Sequence, residues 1–73
     1  MEKGWVKVAT YTNELTSEMM KLLLEEQGIT AVLLNKQDSS LKFGRIELFV
    51  PEEDVTTAMD YINAENTEQL DED

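Results

Sequence analysis

The 73-residue chain has no cysteine, no histidine and a formal net charge of −10. Those absences exclude disulfides and thiolate chemistry, and they remove the commonest metal ligand and the usual general base at neutral pH. Length allows one domain that buries only about 60% of its unfolded surface, and the acidity disfavours phosphate backbones and anionic lipid surfaces as partners.

The charge is unevenly spread. Met1 to Arg45 holds six basic residues (Lys3, Lys7, Lys21, Lys36, Lys42, Arg45) and six acidic ones, so the whole surplus lies after Arg45. No stretch approaches the roughly 20 apolar residues that span a bilayer, and no apolar leader follows a basic start. A cytoplasmic protein without membrane contact is expected.

Trp5-Val6-Lys7-Val8-Ala9-Thr10-Tyr11 is rich in β-formers and alternates. It predicts a strand with Val6 and Val8 on one face and Trp5, Lys7, Ala9 and Tyr11 on the other. Thr12 and Asn13 offer N-cap side chains to a helix over Glu14 to Gln27, and Gly28 suits a left-handed C-cap. On that helix Leu15, Met19, Leu22 and Leu23 read as the core stripe, which Met20 and Leu24 widen to roughly half the circumference. That breadth exceeds what one sheet requires and assigns Met20 or Leu24 to the second helix or another subunit.

The run Ile29 to Asn35 is too short for a helix and reads as a buried strand, followed by a polar loop from Lys36 to Ser40. Phe43 to Val50 alternates again, with Ile46, Leu48 and Val50 opposed to Phe43, Arg45, Glu47 and Phe49. Pro51 ends that strand and opens a second helix whose first turn, Glu52-Glu53-Asp54, faces the positive end of the dipole. Val55, Ala58, Met59 and Ile62 form its apolar face, with Tyr61 on the flank. Residues 1–63 are thus one domain and residues 64–73 an acidic tail expected to be disordered.

The order β-α-β-β-α opens the split βαβ arrangement. It predicts a ferredoxin-like α+β fold with strand order 1-3-2 and both helices on one face. The uncovered face then carries Trp5, Tyr11, Phe43, Arg45 and Phe49, a candidate binding surface for a second copy or another protein. Strand one is left as an unpaired edge that sheet extension across a homodimer would satisfy. Ser17, Ser39 and Ser40 have no histidine to activate them. The acidic clusters lack the spacing of a calcium loop, and Gly4, Gly28 and Gly44 lie too far apart to cradle phosphate. No catalytic, metal or cofactor residue is therefore expected, and the chain reads as a non-catalytic regulatory or interaction domain.

Trp5-Val6-Lys7-Val8-Ala9-Thr10-Tyr11, Leu24-Glu25-Glu26-Gln27-Gly28-Ile29-Thr30-Ala31 and Ile46-Glu47-Leu48-Phe49-Val50-Pro51-Glu52-Glu53-Asp54 with Ala58 together resemble a family of small bacterial domains catalogued as putative prokaryotic signal-transducing proteins. Thr16-Ser17 stands where that family usually shows Glu-Ala. The resemblance implies a fold similar to that of the nitrogen-regulatory PII proteins, and with it a small-ligand sensor as the alternative function. Lys42-Phe43-Gly44-Arg45-Ile46-Glu47-Leu48 also resembles the strand-three signature of RNA-recognition domains but lacks its other aromatic positions. Single-stranded nucleic acid is the third class of partner, and the net charge counts against it.

Overall fold

The computed structural model describes residues 4–36 and 44–70, with side chains as far as residue 65. Chain order runs β1 (Trp5–Tyr11), α1 (Glu14–Glu26), β2 (Val32–Lys36), β3 (Arg45–Pro51), a 3-10 turn at Glu52–Asp54 and α2 (Val55–Leu70). β3 lies between β1 and β2 and is antiparallel to both, giving the order β1-β3-β2. The fold is the ferredoxin-like α+β arrangement that the element order predicts.

Both ends of α1 form for local reasons. Asn13 has extended backbone angles, and its Oδ1 accepts from the Thr16 amide at 3.0 Å, which satisfies an orphan donor of the first turn. At the other end Gly28 takes φ +85, a conformation that costs a side-chain-bearing residue steric strain. The turn lets the Ile29 amide reach the Leu24 carbonyl and the Gly28 amide reach the Glu25 carbonyl, both at 3.0 Å. This pair of bonds is a Schellman motif, whose apolar partners are Leu24 and Ile29, 0% and 4% exposed.

That cap also fixes which side of α1 faces the sheet. Ser17, Met20 and Leu24 are its buried residues, and Leu15, Met19 and Leu22 are its exposed ones. The core stripe expected from the sequence is therefore corrected: Leu15, Met19 and Leu22 point away from the sheet. Ser17 is small enough for close approach of helix to sheet, and its Oγ donates to the Glu14 carbonyl at 2.7 Å, so its hydroxyl is satisfied inside the core.

The core joins Met20 and Leu24 of α1 with Ile29, Ala31, Leu48, Val50, Ala58 and Ile62. The buried strand expected over Ile29 to Asn35 is corrected in two respects. Ile29 and Ala31 fill the core from the connection before β2, and β2 itself is a largely exposed edge, because only alternate residues such as Leu33 can face the helices. α2 buries Ala58 and Ile62 as expected. It continues helically to Leu70, past the point at Ala64 where apolar periodicity ends and a disordered tail was expected; residues 71–73 lie outside the described residues. The described β3 begins at Arg45, and Phe43 also lies outside the described residues.

One irregularity in β1 rearranges the expected faces. Register runs Val6↔Val50 and Lys7↔Phe49, then Ala9↔Leu48, Thr10↔Glu47 and Tyr11↔Ile46, so Val8 is an extra residue opposite no partner of its own. Such a bulge advances the alternation by one position. Ala9 and Tyr11, expected on the open face with Trp5, instead share the helix-covered face with Leu48 and Ile46, and both pack against the core.

Candidate functional site

Two surfaces are placed for contact, on opposite sides of the molecule. The first is the outer face of the sheet, where register brings Trp5, Lys7 and Thr10 of β1 beside Arg45, Glu47 and Phe49 of β3 and Val32, Leu34 and Lys36 of β2. Of the residues proposed from sequence, Trp5, Arg45 and Phe49 are on this face, Tyr11 is not, and Phe43 is outside the described residues. The aromatic patch is thereby smaller than alternation predicts. Phe49 is only 6% exposed despite lying on the helix-free side, since its neighbours in register are the long Lys7 stem and Val32. Trp5 is half-buried, and Val32 and Leu34 are each just over a third exposed.

Glu47 organises the polar part of this face. Its carboxylate lies 3.5 Å from Lys7 Nζ on one edge strand and 3.9 Å from Lys36 Nζ on the other, so one central anion ties all three strands. Each bond, with its lysine half-exposed, contributes up to about 1 kcal/mol. Arg45 is exposed beside them, so four ionic side chains leave this face net cationic on a strongly acidic chain.

The second surface was missed as a site in the sequence. On α1, Leu15, Met19 and Leu22 recur at i, i+4 and i+7 and lie nearly opposite the buried Ser17, Met20 and Leu24 at about 100° per residue. They are 68%, 61% and 55% exposed, the largest exposures of big apolar side chains in the described residues. Large apolar side chains clustered in water mark interaction sites. The signal in the sequence is the excess breadth of the stripe, of which periodicity alone puts the other half in the core.

Between this stripe and α2 runs an open groove of about 700 Å³, lined by Tyr11, Met19, Met20, Leu22 and Leu23 and bordered by Glu26 and Glu65. The Val8 bulge is what supplies Tyr11 to it, by turning that ring out of the outer sheet face. Burial pushes the Tyr11 phenol above its ordinary value, so it stays a neutral hydroxyl. Tyr61 of α2 donates to Gln27 Oε1 at 3.0 Å and ties the second helix to the end of the first. Among the described residues no three acidic, cysteine or histidine side chains converge as a metal site, and no helix is long and apolar enough to cross a membrane.

A family model described as "Putative prokaryotic signal transducing protein" matches residues 5–65. No curated protein and no solved structure matches the chain.

Proposed function

We propose a protein-docking role for this chain, which belongs to the family of putative prokaryotic signal transducing proteins. In this reading it is a non-catalytic module that passes on a signal by binding another protein through the outer side of α1. The observation that supports it is the second apolar stripe, Leu15, Met19 and Leu22, held in water on a helix whose other side already anchors the core. A helix needs one apolar side to pack on a sheet, so the second contributes little to this fold and exposes surface that binding would remove from water.

Copurification from the native cell, compared between wild type and variants, tests this role. Met19→Asp and Leu22→Asp alter exposed positions and should keep the helical circular dichroism of the wild type while losing the bound protein. Trp5→Ala should retain it. Partners that survive both aspartate substitutions would refute docking through α1.

The half-exposed Trp5, Val32 and Leu34 favour a second reading, a homodimer that buries the outer sheet face. The Val8 bulge interrupts regular pairing along β1, which makes face packing a better route to a dimer than edge extension. Sedimentation of wild type against Trp5→Ala separates the two readings: only a dimer through the sheet face becomes monomeric in that variant.

A further inference from the structure

The groove beside α1 specifies the chemistry of its occupant through the charges around it. We infer that it takes a cationic amphipathic helix of the partner protein, with apolar residues seated on Met19, Met20, Leu22 and Leu23 and lysine or arginine reaching the acidic rim. The inference rests on the docking role proposed above and names the partner's chemistry.

Three observations carry it. Leu and Met dominate the lining, with Tyr11 and Thr16 beside them, and the unbranched thioethers of Met19 and Met20 adapt their shape to an inserted side chain. The rim is acidic: Glu26 and Glu65 border the groove, Glu18 flanks the exposed stripe, and none of the three is in an ion pair among the described residues. The described cations lie elsewhere. Of the four described basic residues, Lys7, Lys36 and Arg45 are on the outer sheet face, and Lys21, the only one on α1, is 3.7 Å from Glu25.

A second copy fits less well. Pairing α1 with its own twofold mate would set Glu14, Glu18 and Glu26 against the same carboxylates, and like charges across an interface are unfavourable. RNA and anionic lipid meet the same repulsion. A cationic helix meets attraction and brings an apolar stripe of its own to cover the groove's apolar lining, the arrangement of helix-in-groove recognition. The 13 residues of α1 rise roughly 20 Å, which a partner helix of about 14 residues matches.

The probe is a fluorescein-labelled Leu/Lys amphipathic helix of that length, titrated with the full chain and read by anisotropy, with a Leu/Glu helix of the same pattern as control. The expected result is saturable binding of the Leu/Lys helix alone, weakened about tenfold or more between roughly 50 mM and 500 mM salt as screening shortens the reach of the rim charges. Met19→Asp with Leu22→Asp should weaken it at least tenfold, as should Glu26→Lys with Glu65→Lys, whereas Trp5→Ala should leave it unchanged. No binding, equal binding of the Leu/Glu helix, or a dimer that Met19→Asp dissociates would each overturn the inference. A native partner lost on the aspartate substitutions, together with no binding of the Leu/Lys helix, would uphold docking through α1 and reject a cationic helix as its form.

Discussion

Truncating two leucines two residues apart on α1 should have very different consequences. Leu24 is fully buried and closes the Schellman motif against Ile29, so Leu24→Ala removes buried methyls and leaves a cavity, at about 2 to 5 kcal/mol. A single core of this size supplies roughly 3 to 5 kcal/mol in total, so much of the protein should be unfolded in that variant. Leu22 is 55% exposed. Full burial of a leucine is worth about 1.5 to 3 kcal/mol, so a residue with less than half its surface covered should lose no more than about 0.7 to 1.4 kcal/mol on truncation. At about 4 to 8 °C per kcal/mol for a domain of this length, Leu24→Ala should lower Tm by roughly 10 °C or more, and Leu22→Ala by a few degrees. Far-UV circular dichroism and the fluorescence of the single tryptophan, Trp5, report the melts independently. Equal losses, or a larger loss for Leu22→Ala, would mean that α1 is rotated about its axis, with Leu15, Met19 and Leu22 turned into the core and unable to dock a partner.

Three further outcomes follow from the geometry. Gly28→Ala meets no atom within 4 Å of the added Cβ, so its cost should be the strain of φ +85 alone, about 1 to 2 kcal/mol by denaturant titration; a neutral result would refute the requirement for a left-handed cap. Glu47→Gln keeps the shape of the side chain but leaves Lys7 and Lys36 without their shared anion, and should cost about 1 kcal/mol at low salt and less at high salt. No salt dependence of that difference would show that the ion pairs do not form in solution. Tyr11 has a raised folded-state pKa, so the unfolded chain releases its proton first; the stabilising contribution is complete below pH of about 10 and is lost as pH rises through the folded value. Ultraviolet titration in a Tyr61→Phe background should place Tyr11 above an ordinary tyrosine, and an ordinary value would mean that its ring is not packed beside α1.

The topology was legible because each local signal agreed with the global one. Asn13, Gly28 and Pro51 mark element ends where the structure has them, and the alternation of Ile46, Leu48 and Val50 identifies the covered face of β3. Rotation of α1 was not legible from periodicity, since a helix with leucine and methionine on two sides presents two admissible cores, and the one containing Ser17 looks less apolar. The cap held the missing information: with Gly28 just beyond the helix, Leu24 and Ile29 must meet, and that places Leu24 inside. The path of β1 failed for a different reason. Strict alternation assumes unbroken pairing, and the bulge at Val8 arises only from pairing with β3, although the adjacent apolar residues Val8-Ala9 were a local sign of it. Tyr11 consequently changed from a member of an aromatic sheet patch to a wall of the groove, and the candidate site moved with it from the sheet to α1.

Mapping backbone amide shifts of the uniformly 15N-labelled chain while the Leu/Lys amphipathic helix is added addresses this relocation directly. Changes concentrated at Tyr11, Leu15, Met19, Leu22 and Leu23, with Trp5, Lys7, Val32 and Leu34 unmoved, are the expected result. Shifts centred on Trp5, Val32 and Leu34 instead, with α1 undisturbed, would contradict the account.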